Sequence, residues 1–257
     1  MVEHAAQAVQ EGTKHEGGIS AIIMHHVTNV PVHIPILDVT VPKHVLMMWI
    51  AGLVIILVCR LALRDKGLIP RGIRNFLEIF ILFVRDEIVN ANFGKKDGQK
   101  YLPFFLTIFF FIMACNLIGL IPLFATATGN INVTATLAMV TFIVIQLSGI
   151  QKHGFLGYIK NIVPSGVPLW IYPILFPVEI LGMITKAFAL AIRLFANMIA
   201  GHIVITVLIS LIITFTAPPI ILFPLGISLL EVFIALLQAY IFTFLSAVFI
   251  SMARHAH

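Results

Sequence analysis

Long apolar runs separated by short polar connections organise this chain. Val45 to Leu63 is apolar apart from Arg60. That arginine lies close enough to the end of a helix to snorkel to the membrane interface. A basic turn follows, with Arg64, Lys66, Arg71 and Arg74. Phe76 to Val84 is a shorter apolar stretch bounded by Arg74 and by Arg85-Asp86-Glu87. It is too short to cross a bilayer, so a helix over about 75–92 is expected to lie on the membrane surface. Tyr101 to Leu123 and Ile131 to Ile150 are the next two spans, joined by a loop, 125–130, that carries no charge. Lys152, His153, Lys160, Pro164 and Gly166 mark another wet connection. Two very long apolar stretches close the chain, about 168–216 and 219–253, divided at Ala217-Pro218-Pro219.

The pattern predicts an all-α integral membrane protein of about five membrane helices (44–64, 101–123, 131–151, 168–216 and 219–253) plus the surface helix. They form a single membrane domain over 43–254, behind an extramembrane segment, 1–42, broken by Pro31, Pro35 and Pro42. The last two helices are unusual. A helix from 168 to 216 is roughly 72 Å long at about 1.5 Å per residue, against a hydrocarbon core of about 30 Å. Its middle lacks the Pro/Gly-rich polar turn that two ordinary spans require. Only Asn197, Gly201 and His202 soften it. A steeply tilted pair of long helices is the preferred reading.

Composition agrees. The 257 residues are 60% hydrophobic and 11% charged, where a soluble domain carries about a quarter charged residues. Mean hydropathy is +1.06. The first twenty residues lack the basic-then-apolar pattern of a cleaved signal peptide, so the first apolar run is expected to be retained. Cys59 and Cys115 fall in apolar runs and are expected to be inert core residues, with no disulfide or metal framework. His25, His26 and His33 have no carboxylate or thiol beside them and read as solvent-facing, and no phosphate-binding GxxxxGK[ST] loop is present.

Charge changes the picture by its placement. Net charge is +5, and of 16 lysines and arginines, twelve fall on one side if the spans alternate: Arg60, Arg64, Lys66, Arg71, Arg74, Arg85, Lys95, Lys96, Lys100, Lys152, Lys160 and Arg254. Only Lys14 and Lys43 fall on the other. By the positive-inside rule the C-terminus faces the cytoplasm, or the matrix of an organelle. The two remaining cations, Lys186 and Arg193, lie inside the membrane run.

Glu179, Lys186 and Arg193 recur every seven residues and share one helical face, with Gly182 and Asn197 on or beside it. Glu231 and Gln238 are also seven apart. Each ionisable group at bilayer depth costs about 2.5–3.5 kcal/mol, so this stripe must face protein or water. Arg193 has two readings: a buried ion pair with Glu179 or Glu231 that fixes packing, or a fixed charge on an ion path, since arginine keeps its proton. Glu179, His202 and Glu231 can take and give protons as relay groups, or can be structural hydrogen-bonding groups. Lys186 either joins the path or neutralises Glu179. Asn197 and Gln238 can simply bond between helices.

The run Ala189-Leu190-Ala191-Ile192-Arg193-Leu194-Phe195-Ala196-Asn197-Met198-Ile199-Ala200-Gly201-His202 resembles the signature of the ATP synthase subunit a family. Glu231 to Met252, with Leu237-Gln238-Ala239-Tyr240-Ile241-Phe242, resembles that family's second long helix, and 128–134, with Asn132-Val133-Thr134, resembles the family's loop into the helix that follows it. The similarity covers roughly residues 40–254. It implies the stationary proton-channel subunit of a rotary ATP synthase, not catalytic by itself and without a cofactor. Its partners would be the c-ring, the peripheral-stalk b subunits, the other synthase subunits and the lipid bilayer, and not nucleic acid. Arg193 matches the arginine that faces the ring carboxylate, Asn197 and Gln238 match polar residues near it, His202 and Glu231 match a coupled pair, and Glu179 matches a half-channel acid. Asn130 stands where the family often has an outer-side acid. The resemblance implies proton entry from the outer side, and the N-terminal segment favours a bacterial plasma membrane, with a mitochondrial inner membrane as the alternative. A secondary transporter would be expected to repeat the charged stripe in its other half, and no second copy is present. A membrane scaffold would tolerate Arg193→Leu.

Overall fold

The computed structural model describes residues 31–34, 39–64, 72–121, 126–162, 168, 170–215 and 222–255. The fold is helical, and among the described residues five helices are long and apolar enough to cross a membrane. A short antiparallel hairpin, β1 (Pro31–Ile34) with β2 (Val39–Pro42), pairs Pro31 with Pro42 and leads directly into α1 (Lys43–Arg64). The sequence pattern does not announce this hairpin, because its strands hold only four residues each and carry two of the prolines that read as breakers, Pro31 and Pro42. Cys59, expected in the core, is exposed, whereas Cys115 is buried. The reason is that α1 buries little more than His44, Ala51 and Ala62.

The second apolar stretch forms α2 (Ile73–Phe83) and runs on through a π-helical turn, Val84–Asn90, into α3 (Ala91–Gly119). The break between surface segment and span sits at Gly94, φ 71 and ψ 169, two residues past the expected end of the surface helix at 92, and the span starts before the expected 101. Glycine alone takes that region without penalty. A matching break divides α4 (Ile131–Asn161) at Gly154, φ 72 and ψ 165, so the helical path runs ten residues past the expected end at 151. Between α3 and α4, a 3-10 turn, Ala127–Gly129, carries the chain round. Asn130 caps α4 by accepting from Asn132 N at 2.9 Å. An N-cap needs a short side-chain acceptor, and the amide supplies one at the site where an acid was expected.

The closing stretches are two unbroken helices, α5 (Tyr172–Phe215), 44 residues, and α6 (Leu222–His255), 34 residues. Their bounds lie within about four residues of those expected. The core joins α3 to α6 through Phe105, Phe109, Ile112, Ala239, Phe242, Ala247 and Ile250, with Val84, Ile88 and Val89 of the π turn beneath and Leu190 and Leu194 of α5 alongside. Alanines 235, 239 and 247 on α6 let the helices approach closely. Thr243 and Ser246, also buried, satisfy their hydroxyls on the carbonyls of Ala239 and Phe242 in the preceding turn. At the C-terminal end of α6, Arg254 bonds Asp97 and Tyr101, each at 2.8 Å, while Ser251 donates to Asn92 O and the Arg254 carbonyl meets His153 Nε2. These contacts tie the end of α6 beside both glycine breaks.

Candidate functional site

Two cavities lie along the α5–α6 pair. The first, 230 Å³, is lined mainly by apolar side chains but receives Asn116, Asn197, Glu231 and Gln238. Asn197 Nδ2 donates to Gln238 Oε1 at 2.7 Å, so one amide pair joins α5 to α6. Glu231 is 6% exposed. Neither of its carboxylate oxygens has a hydrogen-bond partner among the described residues. Room for that carboxylate comes from Gly201: a Cβ there would stand 3.3 Å from Glu231 Oε1. Next to it on α5 is His202, whose side chain lies outside the described residues.

A polar wall reaches this cavity from α3. Asn116, 1% exposed, accepts from Thr128 Oγ1 at 2.8 Å and donates to Ala235 O at 3.4 Å. Farther out, buried His44 meets Thr126 O through Nδ1 at 2.8 Å. Sequence reasoning passed over Asn116 and His44. A single amide in the apolar run 101–123 and one histidine at the start of a helix have no periodic partners to draw notice.

The second cavity, 140 Å³, receives Glu179 and Lys186 of α5 and Tyr158 of α4. Lys186 Nζ sits 5.6 Å above the Phe249 ring of α6, a cation–π distance. Among the described residues, Lys186 and Glu179 share the cavity without forming an ion pair. Between the cavities lies Arg193, exposed on the face of α5. No ion pair joins it to Glu179 or Glu231 among the described residues. The packing ion pair offered by the sequence is therefore not formed, and Arg193 stands on an exposed face of α5.

A family model described as ATP synthase A chain matches residues 45–251. The chain belongs to that family. Among its relatives, ATP synthase subunit a of Myxococcus xanthus is 48% identical over 84% of this chain and 74% of the relative. Subunit a of Anaeromyxobacter dehalogenans is 42% identical over 99% of this chain and 77% of the relative. Subunit a of Chloroherpeton thalassium is 49% identical over 84% and 67%. The expected family, helical membrane fold and role in ATP synthesis and proton transport are thus borne out. Membership places the chain in the membrane sector of the F-type synthase, with other synthase subunits as partners. All three relatives are bacterial.

Proposed function

We propose that this chain is the stationary proton-translocating subunit of a rotary F-type ATP synthase, itself non-catalytic. It provides two half-channels to and from a carboxylate of the c-ring. The supporting observation is the order along α5: the cavity of Glu179 and Lys186, then Arg193, then the cavity of Asn197 and Glu231. From Glu179 to Gly201 is roughly 33 Å of helix at about 1.5 Å per residue, comparable with the hydrocarbon thickness of about 30 Å. A continuous helix of 44 residues must run steeply tilted to keep that length within the bilayer. The C-terminus then faces the cytoplasm, in a bacterial plasma membrane.

Protons enter from the outer side through His202 and Glu231 and neutralise a ring carboxylate. A neutral site can face lipid at little cost, so the ring turns. On its return the carboxylate releases its proton toward Glu179 in the inner cavity and meets Arg193. That residue, permanently charged, repels cations and keeps the half-channels apart. The exposed face of α5 that carries Arg193 is where the c-ring packs, and the b subunits hold the chain still. Each charge moved through 100 mV yields about 2.3 kcal/mol, so several protons are needed per ATP.

The test is ATP-driven proton pumping by vesicles that hold the assembled complex. Glu231→Gln and Glu179→Gln are each expected to lower pumping with assembly intact. Normal pumping by both variants would remove the two cavities from the path.

A further inference from the structure

Opposite Glu179 and Lys186, one polar wall of the inner cavity has no part in the path described so far. Tyr158 is 8% exposed and follows the break at Gly154. The chain turns back there, and the Tyr158 hydroxyl donates to Gln146 Oε1, twelve residues earlier on α4. Met183 Sδ of α5 lies 3.7 Å from the phenol oxygen and 3.8 Å from Gln146 Nε2. Beneath the ring is Gly149, where a Cβ would collide with Tyr158 and stand 3.3 Å from Ala253 O. Two glycines therefore set this phenol in place: Gly154 supplies the turn and Gly149 the clearance.

The rest of the lining is apolar or thioether, with Phe142, Ile145, Phe249 and Met252 among it, so Tyr158, Glu179 and Lys186 are its hydrogen-bonding side chains. At about 30 Å³ per water, a space of this size holds a few waters, each needing two to four polar partners. Lysine offers only donors. Because Gln146 takes the phenol hydrogen, the lone pairs of the Tyr158 oxygen remain as acceptors, complementing the Lys186 ammonium and suiting a hydrated proton.

We propose that Tyr158, anchored by Gln146, orders the water that connects Glu179 with the inner solution, making it a positioning residue of the inner half-channel. This inference rests on the half-channel reading above. Tyr158→Phe keeps the ring over Gly149 and removes the oxygen. In inside-out vesicles of the whole complex, it is expected to lower ATP-driven pumping per assembled complex about threefold to tenfold, the scale of one interhelical polar contact in a membrane. The loss deepens as the pH on the inner face is raised, since pumping draws its protons from that side. Packing alone would not produce that pH dependence. Gln146→Leu keeps the phenol but frees it, and gives a loss in the same direction. A wild-type rate and pH profile for Tyr158→Phe, alongside a block by Glu179→Gln, overturns this inference alone. Normal pumping by Glu179→Gln overturns the half-channel reading beneath it. If Tyr158→Phe fails to assemble while Gln146→Leu pumps as wild type, the phenol is a packing element and the inference also falls.

Discussion

Asn197 on α5 donates through Nδ2 to Oε1 of Gln238 on α6 at 2.7 Å, beside the cavity that holds Glu231. Gln238 is 2% exposed, and its own Nε2 has no partner among the described residues. One polar bond thus sets the register of the two long helices, and one donor is left facing a largely apolar space. Interhelical side-chain hydrogen bonds in membranes contribute about 0.6 kcal/mol on average. Asn197→Leu and Gln238→Leu are each expected to reduce coupled pumping. Combined, they should cost less than the product of the two single losses, by about threefold on that scale. Pumping rates of the four complexes give the cycle, and independent effects would show that the amides do not act through each other.

Glu231 packs close over Gly201, where a Cβ would stand 3.3 Å from its Oε1. Gly201→Ala sets a methyl group against the carboxylate, and Gly201→Val forces it to move. Pumping is expected to fall from wild type to alanine to valine, with the complex still assembled. Glu231→Gln, similar in shape but unable to carry a proton, is expected to fall at least as far as Gly201→Val, by about tenfold or more on the scale of a lost acid–base group. Equal rates for Gly201→Val and wild type would mean that the carboxylate position does not matter.

Much of this arrangement is legible in the sequence, and the limits have physical causes. The seven-residue spacing of Glu179, Lys186 and Arg193 places them on one side of α5 because a helix repeats at that interval, and the structure distributes them along that side. Glu179 and Lys186 reach one cavity. Arg193 lies on exposed surface, which periodicity cannot distinguish from a buried pairing. The surface segment, expected over 75–92, runs from Ile73 through the π turn to the break at Gly94, within two residues at each end; the π turn inside it is what the pattern does not show. Tyr158 and Gln146 were invisible because their pairing depends on a backbone reversal at Gly154. Hydropathy marks only the polarity around that glycine. Asn116 enters the site by contacts 12 and 119 residues away in sequence.

Gly94 and Gly154 have nearly the same left-handed backbone, φ 71 and φ 72, with nothing within 4 Å of a Cβ at either. The constraint on each is therefore conformational, not steric crowding. Alanine in this glycine-only region costs about 1–3 kcal/mol. Gly154→Ala is expected to lower the yield of assembled complex and its thermal stability, and to disturb the inner cavity through Tyr158. Gly157→Ala meets only ordinary contact, 3.4 Å from His153 Cβ, and is expected to be nearly neutral. Equal stability losses for the two variants, compared by thermal inactivation of the purified complex, would argue against the role of the reversal.

Arg193 stands between two cavities that open along the same pair of helices. The most direct measurement compares wild type with Arg193→Ala in vesicles that hold the assembled complex, recording ATP-driven pumping and passive proton leak together. If Arg193 separates the half-channels, pumping is lost while leak is retained or raised. Normal coupled pumping by Arg193→Ala would contradict this and return Arg193 to a structural role.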